Sequence, residues 1–216
     1  MIAAALLLAS APVSTAVDAE LAFARDAKRI GQWSAFRKWA DRDAVMFTPQ
    51  AVWAQSFLKP LKDPPRTVTW GPTQSFVSCD GRTAVNTGPW FKGIDGTQGG
   101  YFTTVWQRTG RNWRWVYDGG GPVAPNTSVK KGKPAVRVAS CKSKPPGAPI
   151  SPPPALTPKE ARTTPEDIGR GQSADKTLGW EWKVAKDGAR TLRVYQWNGR
   201  RYTTALSNDI PAPPGK

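Results

Sequence analysis

Apolar positions in the first quarter of the chain recur at helical spacing. Between Asp18 and Ile30, a stretch without Pro or Gly, Leu21, Ala24, Ala27 and Ile30 fall on one face, and Gly31 closes the helix. Trp33–Ala40 reads as a second short helix, with Trp33, Phe36 and Ala40 on one face, Trp39 beside them, and Arg37 and Lys38 turned away. Ala44–Phe47 reads as a short buried strand ended by Thr48-Pro49. Val52–Leu58 reads as a brief helix before a loop from Pro60 to Pro65.

From Val68 the period changes to two. Strands are predicted over Trp70–Cys79, Thr83–Pro89, Gly99–Thr109 and Trp113–Asp118, the last alternating as Trp, Arg, Trp, Val, Tyr, Asp. Cys79-Asp80-Gly81-Arg82 and Thr109-Gly110-Arg111-Asn112 supply tight turns, and Gly119-Gly120-Gly121-Pro122 is expected to stop the unit. Residues 122–176 have the composition of a linker, and Pro145, Pro146, Pro149, Pro152, Pro153, Pro154 and Pro158 favour extended polyproline. A second patterned unit follows, with strands over Trp180–Val184, Thr191–Trp197 and Arg201–Leu206 and turns at Asp187-Gly188 and Asn198-Gly199. Three strands with one apolar face cannot bury enough surface alone, so they are expected to lie against the first unit.

The segment ahead of these elements changes the picture. Ile2–Ala9 is an apolar run of signal-peptide length, too short to span a bilayer, and Ser14-Thr15-Ala16 offers the small residues a signal peptidase cleaves after. The basic leader that usually precedes such a run is missing, and no Cys follows that would take a lipid anchor. Cleavage after Ala16 is the expectation. The organisation is then 1–16 signal-like, 17–121 an α+β unit, 122–176 a Pro-rich linker, 177–210 a three-stranded β-meander and 211–216 a tail. Export to an oxidising periplasmic or extracellular space gives the two cysteines a meaning: Cys79 and Cys141 are expected to form a disulfide.

Composition removes several kinds of chemistry. Histidine is absent from the 216 residues, which excludes His-containing triads, HExxH zinc sites and His-ligated haem or copper. Two cysteines cannot build a Cys-only zinc site or an iron–sulfur cluster. Gly119-Gly120-Gly121 lacks the Lys-Ser or Lys-Thr of a phosphate loop, and Asp95-Gly96-Thr97 lacks the acidic repeat of a calcium loop. No metal and no cofactor are expected. The net charge is +15, concentrated toward the C-terminal part, but the cations are scattered and no run exceeds a pair such as Lys130-Lys131. Nucleic acid is therefore not an expected partner; a small apolar ligand or an anionic envelope component is. A membrane span is not expected, and the sequence is silent on oligomeric state.

The stretch Ala22–Pro49, with Phe23, Gly31-Gln32-Trp33, Ala35-Phe36 and Asp43–Phe47, resembles the nuclear-transport-factor-2-like superfamily. Ser78–Gly81, Thr87–Trp90, Gly100–Trp106 and Trp113–Asp118 suit its strands. More narrowly, the chain is similar to exported bacterial members with a SnoaL-like cone. The resemblance covers about half of the chain. It implies an α+β fold in which a strongly curved antiparallel sheet wraps N-terminal helices and leaves a conical pocket. Enzymatic relatives place Asp, His and Tyr in that pocket for proton transfer, and this chain departs from them in having no His.

Asp26 and Asp118 are the candidate bases, with Arg37 and Tyr101 also within reach of a cone. Trp33, Phe36, Trp90, Tyr101 and Tyr117 are the candidate ligand-binding residues. An Asp ahead of Gly119 is more often a turn former than a base, and Arg108, Arg111 and Arg114 in the same segment would hold its pKa down. The expected function is therefore an exported, non-catalytic small-ligand or interaction module. An isomerase- or cyclase-type enzyme using a carboxylate base is one alternative, and a basic protein binding an anionic envelope surface is another.

Overall fold

The computed structural model describes residues 14–92, 98–122, 133–149 and 167–214. The signal-like run up to position 13, the Asp95-Gly96-Thr97 turn, Lys130-Lys131 and the prolines from Pro152 to Pro158 lie outside the described residues.

Helix α1 spans Ala16–Ile30. It starts at a capping box: the Thr15 hydroxyl accepts the Asp18 N–H, and the Asp18 carboxylate accepts the Thr15 N–H. Its buried face carries Ala16, Ala19, Glu20, Phe23 and Ala27, one step round from the expected face, and Leu21 is exposed. Gly31 has φ +102°, and a Cβ there would strike the Asp63 carboxylate, so the chain turns at this point into α2, Gln32–Trp39. Strand β1, Ala40–Phe47, is longer than expected. The predicted helix from Val52 divides into β2, Ala51–Trp53, and α3, Ala54–Leu58.

The predicted strand from Trp70 is also divided, into β3, Thr69–Trp70, and β4, Gln74–Val77, both paired to β5, Thr83–Lys92. The chain passes so close at Gly88 that a Cβ there would strike the Gly71 carbonyl. β6, Gln98–Thr109, and β7, Asn112–Pro122, follow as a long hairpin. Gly119-Gly120-Gly121-Pro122 therefore does not end the unit at Asp118: β7 runs through it, paired to Gly100–Thr103 of β6.

The stretch read as a linker contributes β8, Ala135–Val138, which pairs parallel to β4. Strand order in this first sheet is β2-β1-β7-β6-β5-β4-β8, with β3 on β5. The end of the same stretch supplies β9, Ile168–Gln172. The C-terminal sheet thus has four strands among the described residues, not three: β9, β10 (Leu178–Val184), β11 (Arg190–Trp197) and β12 (Tyr202–Ile210), in the order β12-β11-β10-β9.

The result is an α+β fold in which N-terminal helices pack on a large curved sheet. One core lies between the helices and the concave face, built on Phe23, Trp39, Trp106, Trp113 and Trp115. A second lies between the two sheets, where Val85, Val105 and Tyr117 meet Leu178, Trp180, Trp182 and Leu192. Trp39, Trp106, Trp113, Trp115, Trp180 and Trp182 are thus core side chains. Cys79 and Cys141 are disulfide-bonded with Cα atoms 5.3 Å apart. Gln196 of β11 donates to the Val77 and Arg137 carbonyls, at 3.1 and 2.9 Å, so the second sheet is also sewn to the β4–β8 edge.

Candidate functional site

A cavity of about 400 Å³ opens at one end of the curved sheet. Its wall is mainly aromatic: Phe36 from α2, Trp70 from β3, Trp90 from β5 and Phe102 from β6, with Met46 from β1. Polar groups enter it at three places, Asp118 on β7, Tyr101 on β6 and Arg190 on β11. The cone is not filled by its own tryptophans.

Asp118 reaches the cavity because β7 carries a bulge. Val105 opposes Tyr117 and Trp106 opposes Trp115, so Val116 is an extra residue. A one-residue insertion moves every following side chain to the other face. Trp115 therefore points at the helices, Tyr117 at the second sheet, and Asp118 back at the helices beside Thr104. Strict alternation would have placed Asp118 with Arg114, opposite the tryptophans.

Behind Asp118 lies Glu20, whose relative exposure is 0%. Its carboxylate accepts the Trp70 and Trp106 indole N–H groups at 2.8 and 2.6 Å and the Asn86 amide at 3.3 Å. Burial nevertheless pushes its pKa up to about 7, against the pull of those hydrogen bonds. Asp118 keeps part of its surface accessible and accepts the Thr104 hydroxyl at 3.0 Å. Enclosure by protein, and after it the Glu20 charge, push its pKa up to about 8, with the Thr104 hydrogen bond opposing. Two carboxyl groups in one low-dielectric pocket resist holding two charges, and the indole and amide N–H donors favour the ionised form of Glu20.

This placement removes the reason for expecting Asp118 to be a poor base. It is a mid-strand residue, not a turn former. None of the arginines expected to depress it, Arg108, Arg111 and Arg114, sets its pKa: Arg108 is turned to the Gly110 carbonyl and Arg114 to the Trp113 carbonyl, and enclosure and the Glu20 charge govern Asp118.

The other candidates divide. Phe36, Trp90 and Tyr101 line the cavity. Trp33 does not line it and packs edge-on against Phe36 at 5.5 Å. Tyr117 lies on the opposite face, its ring 5.3 Å from that of Phe47, and burial pushes its phenol above the ordinary range. Asp26 sits away from the cavity between Arg29 and Lys38, at 2.7 and 2.6 Å. Burial alone would raise it, but hydrogen bonds from Lys38, Arg29 and Trp39 outweigh that and hold it below the usual carboxylate range. Arg37 ties α2 to α3 through the Leu58 carbonyl at 2.7 Å.

Besides the wall residues Met46, Trp70 and Phe102, three polar residues of the site were not singled out from the sequence. Glu20 shares the Ala16–Phe23–Ala27 face, and a charged residue on an apolar helical face was the available signal. Thr104 alternates with Phe102 and Trp106 on the inward side of β6. Arg190 comes from the second sheet, and no local pattern points to it.

No family model and no curated protein matches the chain. Among solved structures, it is similar to the CaMKII hub homology domain of Chlamydomonas reinhardtii, at 20% identity over 51% of this chain and 99% of that one, with a TM-score of 0.38. It is also similar to a putative aromatic ring hydroxylase of Novosphingobium aromaticivorans, at 16% identity over 49% of this chain and 84% of that one, with a TM-score of 0.34.

Proposed function

We propose that the cavity binds a small, largely apolar molecule and that Asp118 exchanges a proton with it, as the base of an isomerase- or cyclase-type reaction. The observation that carries this reading is a carboxyl group in an aromatic cavity, held by Thr104 and pushed up to about 8 beside Glu20. A carboxyl tuned to that range is partly ionised near neutral pH, and its conjugate acid is a competent donor for the return step. Trp70 and Phe102 would exclude water around the reacting carbon, and Glu20 would keep the proton on Asp118 when the site is empty. This reading replaces the expected non-catalytic module, whose argument rested on a depressed Asp118. We also propose that the chain works outside the cytoplasm, which the Cys79–Cys141 disulfide supports.

The test is solvent-deuterium exchange into small enolisable ketones such as 2-tetralone, followed by NMR. Exchange by the wild type is expected to rise with pH through about 8 as Asp118 ionises. Asp118→Asn, shown to be folded by circular dichroism, is expected to lose about 100-fold or more of that rate. An unchanged rate in the folded variant would overturn the proposal.

A further inference from the structure

The second sheet places one charged group against the aromatic cavity, and its surroundings describe the ligand it lacks. Arg190, the first residue of β11, is half-buried and lines the cavity beside Gly120. Its Nη2 donates to the Gly120 carbonyl at 2.6 Å and its Nη1 to the Pro49 carbonyl at 3.4 Å. The guanidinium lies 4.8 Å from the centre of the Phe47 ring. These contacts fix its position without neutralising it.

Among the described residues no carboxylate pairs with Arg190. Asp209, on the neighbouring strand, is taken by Arg193 at 2.7 Å. Asp187 caps the preceding turn through the Ala189 N–H. Asp118 is held by Thr104, and Glu20 by two indoles and an amide. The Arg190 Nε is closed to solvent and has no hydrogen-bond partner. Two of its five N–H donors thus have protein acceptors. A guanidinium drawn out of water with neither counter-ion nor full hydrogen bonding is costly. Desolvation lowers its pKa, yet an arginine stays charged at any working pH.

Resting on the reading of the cavity as a small-ligand proton-transfer site, we propose that its ligand is a one- or two-ring apolar molecule bearing a carboxylate, which Arg190 binds while the aromatic wall holds the rings facing Asp118. A planar carboxylate matches the guanidinium fork, and a charge-assisted pair is strongest where water is excluded. Phe36, Trp70, Trp90 and Phe102 supply the flat apolar surface that rings require. Asp118 is mostly neutral below about 8 and then repels an anion held on Arg190 little. The +15 net charge attracts such a ligand from a distance.

The experiment compares 2-naphthoate with its neutral isostere 2-naphthamide, titrated into the full chain at pH 7 and read by tryptophan fluorescence and calorimetry. The acid is expected to bind at least about tenfold more tightly. Arg190→Gln is expected to abolish the preference and Arg190→Lys to restore part of it. Asp118→Asn is expected to keep the preference while losing deuterium exchange, so the charge-recognition result and the proton-transfer result fail independently. Equal affinity for the two probes, no affinity for either, or a preference that survives Arg190→Gln overturns the proposal.

Discussion

Glu20 and Asp118 set opposite demands on folding and on chemistry. The folded pKa of Asp118 is about 8, far above its ordinary value of 3.8. Between those values the folded chain binds more protons than the unfolded chain, so each step up in pH removes stability, and the loss levels off above about 8. Asp118→Asn removes that titration while keeping the shape. Its melting temperature is expected to exceed that of the wild type at pH 9, with the difference closing by pH 4; a difference independent of pH would contradict the assignment. Glu20→Gln tests the pair from the other side. The substitution sets an amide N–H₂ against the Trp106 and Asn86 donors, at an expected cost of about 1–3 kcal/mol in urea denaturation. It also removes the neighbouring charge, so the Asp118 carboxyl resonance is expected to titrate at lower pH than in the wild type, followed by ¹³C NMR. Asp26 was legible as a charged helical residue, but the partners that disqualify it, Lys38 and Trp39, come from α2 and belong to tertiary packing.

The elements show where sequence reading stops. Period-two alternation locates β7, where Trp113, Trp115 and Tyr117 stand on every second position, and the tight turns at Asp80-Gly81 and Gly110-Arg111 delimit β5 and β6. It does not locate the Val116 bulge, since an inserted residue is legible only against the partner strand, and the bulge decides which face Asp118 takes. The Gly119–Gly121 run was read as a stop because glycine weakens strands. Here it lets β7 continue close beside β6: a Cβ at Gly120 would strike the Tyr101 carbonyl. Gly120→Ala is therefore expected to destabilise by about 1–3 kcal/mol and to shift the β6 and β7 amide resonances together. At the N-terminus, small residues read as a cleavage site also start α1. Thr15 closes the capping box, and the Ala16 carbonyl accepts the buried Asn86 amide at 2.8 Å. Thr15→Ala is expected to cost about 1 kcal/mol in thermal or urea unfolding. Mature protein beginning at Val17 would lack both contacts, and intact-mass measurement of exported protein fixes the true boundary.

On the scale of the whole molecule, the curved sheet has a core on each face, with helices on one side and the second sheet on the other. The Cys79–Cys141 bond spans 62 residues beside the β4–β8 edge. In the chain-entropy account a loop of that length contributes about 4 kcal/mol, so reduction is expected to lower the urea midpoint markedly while Cys79→Ser/Cys141→Ser no longer responds to reductant. The docking of the second sheet was predictable from its insufficient area; its effect on the cavity was not, because Arg190 and Gly120 are 70 positions apart. That separation has a meaning during synthesis. At about 5–20 residues per second, a ribosome adds those 70 positions in roughly 4–14 s. Throughout that interval the nascent chain holds the aromatic and acidic parts of the cavity but not its cation. A carboxylate ligand would then discriminate complete chains from ones cut short before Arg190.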